Sequence, residues 1–237
     1  MLLAVDTATA TASVALYDLA NHLLLAESTW EARRRHTQEL LTTAQGLLAQ
    51  IGAQAAQLTA LAVTTGPGSF TGVRIGLSTI KGIALGLPVA PQIVGLPTLT
   101  VTAAPWLAVA QSASAVVWAY IQAGRGRYNW ATFANGLHYP VASDHQVGTA
   151  AEFAAALKEH AAQPVWLIGE STPELLEVVG PLDHVTVVDS VSAMRRAGVL
   201  AYLAAQQIRQ GQTDDLATLQ PIYLQGPEER PKANDMS

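Results

Sequence analysis

The chain has 237 residues, of which half are apolar and 13% are charged, and its formal net charge is −5 at pH 7. This length is sufficient for one large domain or two small ones. The acidic balance argues against a protein that grips nucleic acid unaided, because such a protein needs a basic surface to release counterions from phosphates. Cysteine is absent, which excludes disulfides, thiolate nucleophiles and cysteine-type zinc sites and fits a reducing compartment.

The first residues and the apolar runs predict a soluble, cytoplasmic protein that does not associate with membranes. The opening residues, MLLAVDTATA, lack a basic leader, and Asp6 stands where a signal peptide needs apolar residues. The apolar run after Ile75 is interrupted by Lys81 and Pro88, so it is too short to span a bilayer.

The first half of the chain predicts hairpin strands followed by alternating helices and strands. Three β-rich runs, LLAVDTA, TASVALYD and HLLLAEST, are separated by short polar breaks. Residues 36–51 carry apolar positions at helical spacing. A strand over 58–65, a glycine-rich loop and a helix ending near residue 86 follow. A short extended piece begins at Pro88, and a further helix is predicted to break at Pro105.

The second half repeats this order of elements. It predicts strands over 115–121, 128–134 and 138–147, a helix over 149–162, a strand over 164–168, a short helix over 172–179, a strand over 184–188 and a long helix over 192–210. Two such units indicate an α/β architecture of two similar subdomains that meet near residues 105–115. The polar last dozen residues, 226–237, predict a disordered tail.

Residues 64–76, TTGPGSFTGVRIG, place glycines where a strand meets a helix. Such a turn exposes backbone N–H groups at the positive end of the helix, which binds anions. However, no lysine follows the final glycine and the spacing is not GxGxxG. A tight turn with Ser69 or Thr71 as the helix cap is the other interpretation. The candidate anion or nucleotide residues are Asp6, Thr7, Gly66, Gly68, Ser69, Thr71 and Gly72.

The predicted helix over 72–86 contains or ends on four glycines, and each interior one costs about 1 kcal/mol relative to alanine. Ser78, Gly82 and Gly86 follow each other at intervals of four residues and form a stripe of small residues on one face. This stripe permits the close approach of another helix. Packing of the same face against the sheet fits the sequence equally well.

The residues that would carry chemistry form no recognisable catalytic or metal-binding set. Asp6 ends the first strand, but its turn lacks glycine, so we interpret it as hydrogen-bonding to its own turn through Thr7 or Thr9. His36 has only Glu39 at metal-ligand spacing, and we expect it to be solvated or at an interface. The sequence has no GxSxG motif, and no base is identifiable for Ser69.

Four segments resemble the TsaB family: AVDTATATASVAL near the start, HTQELL at 36–41, GPGSFTGVRIG at 66–76 and PIYLQ at 221–225. The resemblance spans nearly the whole chain. It implies the two-lobed actin/Hsp70-like (ASKHA) fold, in which each lobe is a mixed sheet with flanking helices. An N-terminal lobe over 1–108 would carry the dimerisation helices, and a C-terminal lobe would cover 109–225.

The resemblance also implies a non-catalytic scaffold subunit in the complex that transfers threonylcarbamoyl to the adenosine adjacent to the anticodon of tRNA. The partners implied are a TsaD-like catalytic subunit and a TsaE-like ATPase, with a homodimer in isolation and tRNA contacted only through the complex. No cofactor is expected on this chain, whereas ATP or ADP fits at the level of the complex. The implied interface residues are His36, Leu40, Leu47, Gly72, Ile75, Gly76, Thr79, Gly82, Ile83 and Gly86.

Two other functions stay open, and one segment departs from the family pattern. An ATPase or phosphotransferase of the same fold, with a nucleotide site at Asp6 and the loop over 66–72, is the alternative function. In addition, relatives usually carry a segment like DARRGEVY where this chain has QAGRGRYN at residues 122–129, so that Gln122 replaces an acid and Arg127 a glutamate. A homodimeric binding module unrelated to tRNA is a third hypothesis.

Overall fold

The computed structural model describes residues 1–33, 35–124 and 126–222. The predicted tail over 226–237 and the last three residues of PIYLQ lie outside these ranges. Within them the chain forms two five-stranded mixed sheets with helices packed against their faces.

The first sheet is built from hairpins followed by helical crossovers, as predicted. Its strands are β1 (Leu2–Asp6), β2 (Thr11–Asp18), β3 (Leu23–Glu31), β4 (Ala60–Gly66) and β5 (Gln92–Pro97), in the spatial order β3-β2-β1-β4-β5. The first three strands pair antiparallel, whereas β1, β4 and β5 pair parallel. Helices α1 (His36–Gln50) and α2 (Phe70–Gly86) make the two crossovers that parallel pairing requires.

The second sheet repeats this topology. Its strands are β6 (Val116–Ala123), β7 (Arg127–Phe133), β8 (Gln146–Thr149), β9 (Val165–Ile168) and β10 (Val185–Val187), in the order β8-β7-β6-β9-β10. The first three again pair antiparallel and the last two join in parallel. Helices α5 (Ala150–Glu159) and α6 (Pro173–Val179) are the crossovers. The predicted α/β fold of two similar lobes, each a mixed sheet with flanking helices, is therefore confirmed.

The core follows the alternation of side chains along the strands. In β1, Leu3 and Val5 point to the face covered by α1 and α2, whereas Leu2 and Ala4 point to the opposite face. All four are buried, so both faces of the first sheet are covered. Complete burial of a leucine or valine contributes about 1.5–3 kcal/mol, which makes this two-sided sheet the main source of stability in the lobe.

The segments between and after the sheets connect the two lobes. Helices α3 (Thr98–Ala103) and α4 (Leu107–Ser112) lie between β5 and β6, and α3 contacts strands of both sheets. The last helix, α7 (Ala197–Arg209), packs on β1 and β2 of the first sheet, although it follows the second sheet in the chain. The division of the chain at residues 108 and 109 stays a prediction.

Two predicted elements differ from the structure. The strand predicted over 138–147 is wrong: only residues 146–149 pair, and the stretch before them is a loop containing a short turn at Ala142–Asp144. Pro140 has no N–H to give to a sheet, which accounts for the late start of the strand. The helix predicted to start at residue 192 begins at Ala197. None of the helices in the described ranges is long and apolar enough to cross a membrane.

Candidate functional site: two helices anchored on one buried turn

The buried turn that follows β1, residues 6–9, connects the main elements of the first lobe. Asp6 is buried, and its Oδ1 accepts hydrogen bonds from the Ala8 backbone N–H (2.9 Å) and the Thr64 hydroxyl (2.8 Å). The prediction that Asp6 bonds to its own turn is confirmed, although the donor is the Ala8 backbone and not a threonine hydroxyl.

The second carboxylate oxygen of Asp6 accepts from the guanidinium of Arg195, a buried residue 189 positions further along the chain. Nη2 of Arg195 also donates to the Thr9 hydroxyl at 3.1 Å. Burial lowers the pKa of Arg195, but the Asp6 and Glu170 carboxylates outweigh it and hold the pKa above its ordinary value. The charge of Asp6 is thus compensated inside the protein, as a buried carboxylate requires.

The glycine-rich loop packs directly on this turn. A Cβ atom at Gly68 would overlap the Ala8 carbonyl oxygen, and one at Gly72 would overlap the Thr7 carbonyl oxygen. At Gly76 the Cβ would meet the Thr7 hydroxyl at 2.5 Å. These three glycines are therefore explained by close packing within the chain, which is one of the two interpretations of the motif.

The polar groups of the loop are also used within the chain. The Ser69 hydroxyl accepts from the Gly72 N–H (3.2 Å) and caps α2, while the Ser69 N–H donates to the Ala8 carbonyl oxygen (2.6 Å). Thr7 Oγ1 donates to the Gly72 carbonyl oxygen at 2.7 Å. Among the candidate anion residues, Ser69 and Thr71 at the start of α2 are exposed, whereas Asp6, Thr7, Gly66 and Gly72 are buried. Peptide carbonyls of the neighbouring turn therefore lie where the motif first suggested an anion.

The Gly66–Pro67 peptide bond is cis and borders the C-terminal segment. The Ile222 N–H donates to the Thr65 carbonyl oxygen at 2.7 Å, so the start of the PIYLQ segment lies beside the loop. The loop at 66–76 and residues 221–222, which begin the resembling segment at 221–225, thus meet in space.

His36, the first residue of α1, is buried, with an exposed fraction of 5%, so the expectation of a solvated histidine is wrong, while its place at an interface stays a prediction. Its Nε2 lies 2.9 Å from the Thr9 carbonyl oxygen, and because a carbonyl only accepts, Nε2 carries the proton. The imidazole therefore fixes the start of α1 on the same turn that supports α2.

A cavity of about 600 Å³ opens between the first turns of α1 and α2. Thr9, Arg33, Ser69, Thr71 and Ile75 line it together with His36. The cavity presents hydroxyls and one cationic side chain near two helix N-termini. Within the described ranges, no three histidine or acidic residues are placed so that they could hold a metal ion.

The second lobe contributes Glu170 and Tyr120 to the region around Arg195. Glu170 follows β9, and its Oε1 lies 4.0 Å from Nη2 of Arg195. The Tyr120 hydroxyl contacts Ser171 Oγ at 2.6 Å. Burial raises the pKa of Tyr120 to about 12, so its hydroxyl stays protonated at neutral pH.

The hairpin at 122–129, which departs from the family pattern, lies at the end of β6 and the start of β7. Gln122 is exposed and pairs with Tyr128 across the strands. Arg127 pairs with Thr149 of β8, next to Glu152, and contributes to the low pKa of that carboxyl. Arg125 lies outside the described residues. The positive charge that Arg127 adds to this hairpin thus interacts favourably with the Glu152 carboxylate on α5.

The ten predicted interface residues fall into three groups by exposure. His36, Leu40, Leu47, Gly72 and Gly76 are buried within the chain itself, and Ile75, Thr79 and Ile83 are half-buried. Gly82 and Gly86 are exposed, and a Cβ at either would meet no atom within 4 Å. The small-residue stripe of Ser78, Gly82 and Gly86 is therefore open to solvent, whereas Gly72 and Gly76 nearer the start of α2 are buried.

Large apolar side chains accompany this open stripe. Leu85 is 81% exposed between the two glycines, and Val89, just beyond the helix, is 75% exposed. We call this surface, formed by Gly82, Leu85, Gly86 and Val89, the α2 ridge. Exposed apolar clusters of this kind mark interaction sites.

Sequence reasoning missed Arg195 and Thr64, the two side chains that bind Asp6. A buried arginine is rare unless it is paired, but the pattern of the chain offers no signal that joins residues 189 positions apart.

Comparisons with known proteins agree with this architecture. The family model described as TsaD: tRNA N6-adenosine threonylcarbamoyltransferase matches residues 29–173. The tRNA threonylcarbamoyladenosine biosynthesis protein TsaB of Escherichia coli is 37% identical over 136 residues, 56% of this chain and 54% of that protein. The Haemophilus influenzae protein of the same name is 44% identical over 92 residues, 38% of each chain. The chain thus spans about half the length, or less, of these curated relatives.

Two solved structures share the fold. YeaZ from Pseudomonas aeruginosa superposes with a TM-score of 0.72 at 23% identity, over 94% of this chain and 99% of that one. A Pseudomonas aeruginosa protein described as similar to peptidase YEAZ gives a TM-score of 0.74 at 24% identity, with the same coverage. At these identities the match concerns the fold.

Proposed function

We propose, from its family, that this chain is a non-catalytic scaffold subunit in tRNA threonylcarbamoyladenosine biosynthesis. The chain belongs to the family that the TsaD-type model describes and, within it, to the TsaB family. It would bind a TsaD-like catalytic subunit, with a TsaE-like ATPase joining the pair, and it would form a homodimer in isolation. Contact with tRNA would run through the complex, which suits a chain with a net charge of −5.

The observation that carries the proposal is the α2 ridge. Gly68, Gly72 and Gly76 have a reason inside the chain, but Gly82 and Gly86 have none there. A glycine inside a helix costs about 1 kcal/mol, so Gly82, which contacts nothing within the chain, is best explained by a neighbour that needs a close approach, and Gly86 at the helix end extends the same open surface. Leu85 between them supplies the apolar area that such a contact would bury.

The same reasoning disfavours the alternative of an ATPase or phosphotransferase. Asp6 is already bound by Arg195, Thr64 and Ala8. The space beside Gly68 and Gly72 is occupied by carbonyl oxygens of the turn. A nucleotide phosphate and its metal ion would have to displace all of these groups. We therefore propose no cofactor for this chain and leave ATP or ADP to the assembled complex.

Replacing Gly82 with leucine tests the proposed interface. Because the position is open, the isolated variant should fold, and its helix should gain about 1 kcal/mol from the better propensity of leucine. The bulky side chain should nevertheless prevent the close approach of a partner helix. Light scattering of the variant mixed with a purified TsaD-like subunit should show the two separate masses, whereas the unaltered chain gives their sum.

Ala155→Leu is the matched control, since it adds leucine to an exposed position of α5 in the other lobe. This variant should assemble like the unaltered chain. Assembly of Gly82→Leu with an unchanged mass would contradict the interface, and failure of the unaltered chain to bind would contradict the function itself.

A further inference from the structure

We propose that Arg195 is a positioning residue that joins the two lobes and, through the turn at residues 6–9, sets the first turns of both α1 and α2. The proposal concerns a coupling inside the chain. Its consequence for partner binding rests on the proposed function.

The segment that carries Arg195 crosses from one lobe to the other. At its start, the Val188 N–H donates to the Leu167 carbonyl oxygen in the second sheet (3.1 Å). At its end, the Ala197 N–H donates to the Ser13 hydroxyl in the first sheet (2.9 Å). Arg195 lies inside this crossing, with Asp6 and Thr9 of the first lobe on one side and Glu170 of the second on the other.

Glu170 supplies the carboxylate of the second lobe. It follows β9, the counterpart of β4, and its Oε1 lies 4.0 Å from Nη2 of Arg195. The guanidinium therefore lies between one carboxylate from each lobe. A planar cation with several donors suits this position better than an ammonium group, because it can bind different acceptors in fixed directions.

Three hydrogen bonds carry the position of the turn to the two helices. Ala8 accepts from the Ser69 N–H, and Thr7 Oγ1 donates to the Gly72 carbonyl oxygen, so the turn is tied to the cap and first turn of α2. The Thr9 carbonyl oxygen accepts from His36, the first residue of α1. Arg195 binds the same turn at Asp6 and at the Thr9 hydroxyl. Asp6, Thr7, Thr9, His36 and Arg195 are all buried, where an unmade bond is costly.

Hydrogen exchange of the complete chain, followed by mass spectrometry, tests this coupling without any partner. In Arg195→Met, Asp6 is left buried without its counter-charge. Amides of the turn at 6–9 and of the helix starts at 36–39 and 69–73 should exchange about tenfold faster, while those of α5 should keep their rate. Arg196→Met is the matched control, because Arg196 binds Glu27 within the first lobe and should leave all of these segments unchanged.

If the exchange rates at the two helix starts are unchanged in Arg195→Met, the proposal is overturned. It is also overturned if the exchange rates rise equally over the whole chain, including α5, because that result indicates a general loss of stability. If Arg195→Met yields no folded protein, Arg195→Lys is measured in the same way and should accelerate the same segments about threefold. No local change in that variant would overturn the proposal as well.

Partner binding is measured separately, so the two proposals fail independently. If the unaltered chain binds the TsaD-like subunit, Arg195→Met should weaken that binding about tenfold, and undiminished binding would overturn the link between Arg195 and the helices. If the unaltered chain does not bind, the proposed function fails, while the exchange rates still decide whether Arg195 positions the helix starts.

Discussion

Three glycines of α2 share a helix but differ in what replaces their missing side chains. The Thr7 carbonyl oxygen fills the space at Gly72, the Thr7 hydroxyl approaches the space at Gly76, and the space at Gly82 is empty. The Thr7 carbonyl cannot move away from Gly72 without shifting the end of β1, whereas the Thr7 hydroxyl can rotate away from Gly76. The same substitution at the three positions should therefore have three different effects.

We predict the order of stability Gly82→Ala, unaltered chain, Gly76→Ala, Gly72→Ala, measured by urea unfolding. Gly82→Ala should raise the free energy of unfolding by about 1 kcal/mol through helix propensity alone. Gly76→Ala should lower it by about 1 kcal/mol, because Thr7 loses its bond to Gly72. Gly72→Ala should lower it by about 3 kcal/mol through overpacking. Equal effects at 72 and 82 would contradict the packing of the loop on the turn.

At the scale of the element, α5 shows how one helix start is stabilised by a carboxylate. The Thr149 hydroxyl accepts from the Glu152 N–H (3.3 Å), and Glu152 Oε2 accepts from the Thr149 N–H (2.7 Å). These reciprocal bonds form a capping box. The backbone bond from Thr149 is the main cause that lowers the pKa of Glu152 below its ordinary value of 4.5.

The sign of the resulting pH dependence follows from this shift. A carboxyl whose pKa is lower in the folded state stabilises the fold above its unfolded pKa and loses this effect as the pH falls through the folded pKa. We therefore predict that Glu152→Gln is less stable than the unaltered chain at pH 7, and that the difference in melting temperature shrinks below pH 4.5. Glu177→Gln, an exposed substitution on α6, is the control, and its difference in melting temperature from the unaltered chain should not shrink as the pH falls. If the difference for Glu152→Gln is the same at pH 7 and below pH 4.5, the charge of Glu152 does not contribute to stability.

For the whole molecule, we predict that the isolated chain does not bind Mg-ATP with a dissociation constant below about 1 mM, equivalent to about −4 kcal/mol. The physical reason is that Arg195 already binds the Asp6 carboxylate, and that carbonyl oxygens of the turn at residues 6–9 lie against the glycine-rich loop where a phosphate would have to bind. Calorimetric titration of the unaltered chain checks this. Micromolar binding with turnover would favour the actin-like ATPase or phosphotransferase instead of the scaffold.

The order of elements was largely predictable from sequence, because strands with period-two alternation and helices with regular apolar spacing are local signals. The family was predictable from the resemblance of four short segments, above all residues 66–76. The roles of the glycines were only partly predictable. Their spacing favoured close packing, but whether Gly72 faces the turn at Thr7 or a partner depends on a contact 65 residues away. Arg195 was not predictable for the same reason. The strand predicted over 138–147 ran through Pro140, which lacks the N–H that a strand interior needs, and only residues 146–149 pair.

The return of α7 to the first sheet has a consequence for biosynthesis. Leu2, Ala4 and their neighbours on that face are covered by a helix that ends at Arg209, whereas the sheet itself is complete at Pro97. At about 5–20 residues per second, the face stays uncovered for roughly 6 to 22 s after its last strand is made. During translation the first lobe therefore carries an apolar sheet surface that α7 later covers, and premature termination before α7 would release a polypeptide with this surface exposed.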